Sequence, residues 1–316
     1  MLREHRMGQE LQGVREELKK VIIGKENVTD KVLMAILAGG HVLLEDVPGV
    51  GKTTTALAFS RTLGLSFRRI QFTPDVVPSD VTGFTIYDKK SEEFRYSEGA
   101  VMCNLLLADE INRTSSKTQS ALLEVMEEGH VTVDGITHDV PEPFIVIATQ
   151  NPLGTAGTQM LPESQLDRFM VKLSMGYPDR KSQDMLLRDR QIENPLDKVT
   201  NVLAVSDLEK LKDEVKHVEI SDDMISYITE LTDKTRTDSI IKLGVSPRGA
   251  LALTRMTKAC AYLAGRTFTI PEDVKEVFTD VCGHRIVLSP KARMSDETEE
   301  TVLRNILKNT QAPEVK

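Results

Sequence analysis

Apolar residues recur at helical spacing near the start of the chain. Leu11, Val14, Leu18, Val21 and Ile22 share one face of a helix predicted over 8–22, and Gly24 breaks it. A second helix is predicted from Thr29 to Leu37, ending at Gly39-Gly40. The pattern then changes to short continuous apolar runs. His41-Val42-Leu43-Leu44, bounded by glycines and Asp46, reads as a buried strand, as do Ser66 to Phe72, Asn104 to Asp109, Phe144 to Thr149 and Phe169 to Ser174. Helices are predicted between them, from Gly51 to Leu63 and from Gln119 to Glu128. The second of these carries Ala121, Leu122, Val125 and Met126 on one face. Residues 130–140 alternate around Asp134-Gly135, a strong hairpin signal. Strands alternating with helices predict an α/β fold with a mainly parallel sheet.

The character changes after Tyr177-Pro178-Asp179, and helices dominate from there. The predicted boundary falls near 180, dividing the chain into an α/β part (1–180) and a helical part (181–316). Ser206 with Glu209 and Thr269 with Glu272 match the capping-box spacing. Ser246-Pro247 supplies an N-cap followed by proline at the first helical position. Gly283 marks a stop, and Pro195 with its neighbours reads as a loop. No internal repeat or low-complexity segment is present.

Composition narrows the picture. The 316 residues suffice for one large domain or two smaller ones. The net charge of −8 disfavours non-specific binding to nucleic acid, which relies on a basic surface. No run approaches the about 18 apolar residues of a membrane span, and the charged N-terminus lacks the apolar centre of a signal peptide. Cys103, Cys260 and Cys282 are far apart and follow neither a disulfide framework nor metal-ligand spacing. They read as buried small hydrophobes in a cytoplasmic protein without a structural metal.

The candidate chemistry begins at Asp46-Val47-Pro48-Gly49-Val50-Gly51-Lys52-Thr53, between a predicted strand and a predicted helix. That is the setting of a phosphate loop. Glycines let backbone N–H groups turn toward phosphate oxygens, and the helix N-terminus adds its dipole. Lys52 supplies a compact positive charge, and the Thr53 hydroxyl can reach Mg²⁺. The strict pattern has glycine where this chain has Asp46. Aspartate tolerates the left-handed region better than most residues, so the turn is expected to survive.

Leu105-Leu106-Leu107-Ala108-Asp109-Glu110 is an apolar strand ending in two carboxylates. Burying it carries Asp109 to the carboxyl edge of the sheet, where ligands bind in such folds. Asp109 can hold Mg²⁺, and Glu110 can orient and deprotonate an attacking water. Thr149-Gln150-Asn151-Pro152 follows another buried strand and could offer an amide to the phosphate or the water. Three arginines stand out by position: Arg113, Arg168 and Arg248. Spacing alone favours a surface salt bridge for each, although a cation in the first turn of a helix, as at Arg248, invites an anionic partner.

Together these segments resemble the AAA+ ATPases and, within them, the MoxR branch. The resemblance rests on HVLLEDVPGVGKT (41–53), LLLADEINR (105–113), KTQSALLEVMEE (117–128), IATQNP (147–152), PESQLDRF (162–169) and SPRG (246–249), close over 20–180 and looser to about 290. It implies a P-loop core followed by a small all-helical lid. It also implies ATP held by Pro48, Gly49, Val50, Gly51, Lys52, Thr53 and Thr54, with Mg²⁺ at Thr53 and Asp109. Asn151 then looks like sensor 1, Arg168 like the arginine finger reaching a neighbour's ATP, and Arg248 like sensor 2. Ile23-Gly24-Lys25 is similar to the segment near the adenine.

Such proteins usually form hexameric rings, and MoxR-like members are often associated with partners bearing a von Willebrand factor A domain. Residues 75–98 and 130–140 look like inserts that face a pore and touch a substrate. The resemblance therefore points to a chaperone-like remodeller of client proteins. The alternatives are a nucleic-acid motor, a magnesium-chelatase-like subunit and a non-hydrolysing switch. The inserts speak against the motor: 130–143 contains no Lys or Arg, and 75–98 is rich in Asp and Glu.

Overall fold

The computed structural model describes residues 2–152, 159–189, 191 and 194–314. Two helices lead in, α1 (Leu2–Lys19) and α2 (Glu26–Leu37). Helix α1 ends at Lys19, short of the predicted 22, but Val21 and Ile22 still pack into the core from the turn that follows. Next come β1 (Val42–Glu45), α3 (Lys52–Thr62) and β2 (Phe67–Gln71), then α4 (Pro78–Thr82), β3 (Gly83–Asp88) and β4 (Glu93–Glu98). They are followed by β5 (Leu105–Asp109), α5 (Ser116–Glu128), β6 (His130–Val133), β7 (Ile136–Asp139), β8 (Ile145–Gln150), α6 (Glu163–Leu166) and β9 (Val171–Leu173).

Five of these strands form one parallel sheet in the order β2-β5-β8-β1-β9. Because successive side chains alternate faces, the central apolar runs feed two cores. Val42, Leu44, Leu105, Leu107, Ile145 and Ile147 face a cluster containing Ala56 and Phe59 of α3 and Leu63 just beyond its end. Leu43, Leu106, Ala108, Val146 and Ala148 face a second cluster with Leu122, Leu123, Val125 and Met126 of α5. This is why the runs are continuous rather than alternating.

The remainder is helical: α7 (Arg180–Asp189), α8 (Val205–Lys216), α9 (Asp222–Thr237), α10 (Pro247–Leu263), α11 (Pro271–Cys282), α12 (Pro290–Met294) and α13 (Glu299–Lys308), with a small ladder of β10 (Ile241–Leu243) and β11 (Val287–Leu288). The apolar cluster on the α3 side of the sheet runs without a break into Leu208, Leu211, Leu253, Met256, Val274 and Phe278. The change of element type near 180 is therefore not a gap in the core. Helix α10 starts as expected, with the Ser246 hydroxyl accepting from Gly249 N at 3.0 Å.

Two caps differ from expectation. Helix α8 is capped at Ala204, so Ser206 lies inside it. Helix α11 is capped at Ile270, whose N–H donates to the Asp273 carboxylate at 2.8 Å. Pro271 fixes that start one residue beyond Thr269.

The hairpin at 130–140 forms where predicted. Asp134 (φ 51°) and Gly135 (φ 81°) supply the two left-handed residues that a two-residue turn needs. The insert at 75–98 holds a second hairpin, β3–β4, beyond the one expected at 130–140. The two hairpins touch: the Tyr96 ring stacks on His138 at 3.9 Å. Outward they present Phe84, Ile86, Tyr87, Phe94 (76% exposed) and Ile136 (62% exposed).

His41 ties the strands to α5. Its Nδ1 accepts from Val146 N at 3.0 Å, so the ring proton sits on Nε2 and is donated to Met126 O at 3.0 Å. Burial drives its pKa from 6.5 down to about 4, with help from Arg248 and Lys212. A neutral buried imidazole leaves the unfolded chain to bind the proton first as pH falls. Stability is therefore full above about pH 6.5 and declines toward about pH 4. Between about pH 7 and about pH 5 this one group is expected to cost the fold about 2 kcal/mol, read as a fall in the urea midpoint. The fully buried His284, also held well below its usual value by burial and by Arg285, acts in the same direction.

Candidate active site

The phosphate loop leaves β1 at the carboxyl edge of the sheet. Gly49 (φ 86°) and Gly51 (φ 99°) adopt conformations that L side chains rarely take, and Gly51 caps α3 without a side-chain partner. The first N–H groups of this 11-residue helix are thus left for an anion. A cavity of about 400 Å³ opens here, lined by Pro48, Gly49, Gly51, Lys52, Thr53 and Thr54 on one side and by Asp109, Glu110 and Asn151 on the other. An adjoining, more apolar cavity of about 470 Å³ shares Gly49, Gly51 and Thr54 and is lined by Val21, Ile22, Ile23, Val50, Met175 and Tyr177. The pair suits a triphosphate joined to a flat base.

Lys52 donates to Asp46 O at 2.7 Å. Burial pushes its pKa below the usual lysine value, while the nearby carboxylates of Asp46, Asp109 and Glu110 pull it back up. Asp109 is held on both oxygens, by the Thr149 hydroxyl at 2.6 Å and by Arg69 at 2.7 Å. Glu110 adopts the left-handed region (φ 57°, ψ 48°), unusual for a non-glycine residue. Its N–H donates to Thr149 Oγ1 at 2.9 Å, and its carboxylate pairs with Arg113 at 2.7 Å. Asn112 donates to Asn151 O at 3.1 Å, which fixes the tip of β8 beside the acidic pair.

Several placements depart from expectation. Asp46 is not left-handed. It is buried, and its carboxylate accepts from the Ser174 hydroxyl (3.1 Å), Met175 N and Gly176 N (2.9 Å). It staples the phosphate loop to the segment after β9, and each charge-assisted bond lost would cost about 1.5–3 kcal/mol. Gly24 does not itself line either cavity, although Ile23 and Lys25 on either side of it line the apolar one. Its φ of 70° needs glycine, and an added Cβ would meet Ser182 Oγ at 2.1 Å. Arg69 lines the phosphate cavity and was missed, because a cation in the middle of a short strand carries no local signal.

Arg168 and Arg248 also lie outside both cavities. Strand β9 runs parallel to β1, and Met170 N donates to His41 O just ahead of both. Arg168 therefore sits at the edge where the strands begin, while the phosphates bind where they end. The four residues of β1 separate the two sites by about 13 Å. Arg168 instead donates to Leu123 O at 2.6 Å and meets Glu127 at 3.2 Å, and Arg248 meets the same Glu127 at 3.1 Å. Arg248, expected from the resemblance to be sensor 2, thus pairs with Glu127 in this packing of the lid and does not line its own phosphate cavity.

A larger cavity of about 810 Å³ lies between β9 and helices α11 and α13. Its charges pair among themselves, Lys31 with Asp280 at 2.6 Å and Lys172 with Glu45 at 2.8 Å, and the helix N-terminus that lines it, that of α13, is already capped by Thr298 and carries Glu299 and Glu300. The three cysteines are buried and free, and burial raises Cys103 to about 11 and Cys260 and Cys282 to about 12.

A phosphate loop on β1, an acidic pair on β5 and a polar tip on β8, all within one parallel sheet, define a P-loop ATPase core carrying a helical lid. Comparison with known proteins agrees. The family model "ATPase family associated with various cellular activities (AAA)" matches residues 41–171, and the model "AAA lid domain" matches 233–306. The chain is 39% identical to Chaperone MoxR1 of Mycobacterium tuberculosis, over 95% of this chain and 81% of that one. It is 47% identical to an uncharacterized protein, YeaC, of Bacillus subtilis, over 94% and 93%. A crystal structure of a protein from Cytophaga hutchinsonii, provisionally assigned as an ATPase, superposes with a TM-score of 0.91 at 36% identity, covering 98% of this chain and 97% of that one. The chain belongs to the MoxR-type AAA+ ATPases.

Proposed function

We propose that this protein hydrolyses Mg²⁺-ATP in a ring, most simply a hexamer, and uses the cycle to remodel or activate client proteins. In this reading 1–180 is the ATPase core and 181–316 the lid. Lys52 and the loop N–H groups bind the β- and γ-phosphates, and Val50 with Ile22 and Ile23 packs against the base. Thr53 and Asp109 hold the Mg²⁺, which when bound neutralises phosphate charge. Glu110 takes the proton from the attacking water, and Asn151 orients that water or the γ-phosphate. Arg168 and Arg248 act on a neighbouring subunit's nucleotide.

One observation carries the ring: two arginines stand together at the sheet edge opposite their own phosphate loop. The exposed aromatic and aliphatic side chains of the paired hairpins favour a protein client over nucleic acid, since no basic stripe accompanies them. A von Willebrand factor A domain protein as recruiter and the cytoplasm as the place of action belong to the same reading. Among the described residues no helix is long and apolar enough to cross a membrane.

The test is turnover per subunit over a wide range of protein concentration, with mass followed by light scattering. Turnover is expected to rise as the ring assembles. A rate per subunit that stays constant from monomer to ring would exclude a shared site.

A further inference from the structure

The lid reaches the segment carrying Arg168 through a buried node. The Asp167 carboxylate accepts from Ser246 Oγ at 2.9 Å and from Arg285 Nε at 2.7 Å. Arg285 is only 5% exposed, and its other donors go to main-chain oxygens of Asp167 (3.1 Å), Phe169 (2.5 Å), Met170 (3.1 Å) and Val281, with His284 alongside. Three of these carbonyls belong to residues 167–170. Ser246 is the N-cap of α10, and Arg248 stands two residues further on. Asp167 and Glu127 are therefore two successive bridges. The first joins the backbones that bear Arg168 and Arg248, and the second joins their side chains.

Burying a guanidinium is costly unless every donor is met, and an apolar side chain of similar size would serve core stability as well or better. What this node adds is a fixed geometry between lid and sheet. Two guanidiniums held on one carboxylate repel each other, and Arg248 is further disfavoured by the N-terminus of α10. A more highly charged anion, the terminal phosphate of a neighbour's nucleotide, would satisfy both better than Glu127 does.

We propose that Asp167 and Arg285 are positioning residues that lock Arg168 and Arg248 into a single two-pronged phosphate clamp offered to the next subunit. This rests on the reading of a ring with shared sites.

The test uses full-length Asp167→Asn, with Ser246→Ala as the milder variant in case the first fails to fold. Each is assayed for kcat, KM for ATP, mass and urea midpoint, alone and mixed with Lys52→Ala subunits, which keep both arginines. The expected result is kcat lower by about 10- to 100-fold for Asp167→Asn, since small misplacements cost that much. A smaller loss is expected for Ser246→Ala, with KM and mass unchanged in both. Lys52→Ala subunits should restore turnover by presenting an intact clamp, which a merely structural defect would not allow. Asp167→Asn should also add little to the loss caused by Arg168→Ala. If Arg168→Ala is restored by mixing but Asp167→Asn turns over like wild type, or its loss adds in full to that of Arg168→Ala, the clamp falls while the shared site stands. If Arg168→Ala itself is not restored, the shared site falls and the clamp with it.

Discussion

Glu110→Gln is expected to bind ATP as wild type does and to hydrolyse it about 10²–10⁴-fold more slowly, the usual contribution of a positioned general base. The substitution keeps the shape of the side chain and its place on the cavity wall. It removes the negative charge and, with it, the capacity to accept a proton. The backbone that aims it should survive, because the Glu110 N–H is held by Thr149 Oγ1, which in turn donates to Asp109. That relay joins the tips of β5 and β8 and does not involve the carboxylate. Loss of the Arg113 ion pair is a partly exposed change worth at most about 1 kcal/mol. Binding of a fluorescent ATP analogue and steady-state turnover separate the two effects. Turnover within about threefold of wild type would remove Glu110 from the base role.

The elements carrying this chemistry were legible because each is contiguous. A doubly buried parallel strand must be apolar on both faces, so β1, β5 and β8 announce themselves, and the acids or loops at their ends fall at one edge of the sheet. Asp134-Gly135 specified its hairpin for an equally local reason. The β3–β4 hairpin was harder. Its strands alternate through Phe84, Ile86, Phe94 and Tyr96, but a longer turn through Lys89, Lys90 and Ser91 carries no glycine. Capping boxes at Ser206 and Thr269 failed because the spacing is common and a neighbouring residue began each helix. The illegible parts of the site are long-range. Asp46 finds 174–176, and Arg285 finds Asp167, across more than a hundred residues with no periodicity between them. Position in the sequence placed Arg248 at the start of a lid helix. Which edge of the sheet that helix faces was decided by the packing of α8 and α10 on α2.

Arg168→Ala should lower kcat by about 10³-fold or more while leaving KM for ATP nearly unchanged, as loss of an arginine finger does. Arg168 precedes β9 at the edge where the strands begin, with the length of β1, about 13 Å, between that edge and the loop, and it lines neither nucleotide cavity, so it is expected to contribute nothing to binding nucleotide in its own subunit. Its contacts with Leu123 O and Glu127 are half-exposed, and removing them costs the fold little. A loss confined to kcat therefore has to come from a neighbour's transition state. Mixing separates this from a damaged active site. Arg168→Ala subunits keep an intact phosphate loop, and Lys52→Ala subunits keep an intact arginine, so the mixture should turn over faster than either alone. Equal inactivity of the mixture, with rings of unchanged mass, would show that Arg168 does not serve a site in the next subunit.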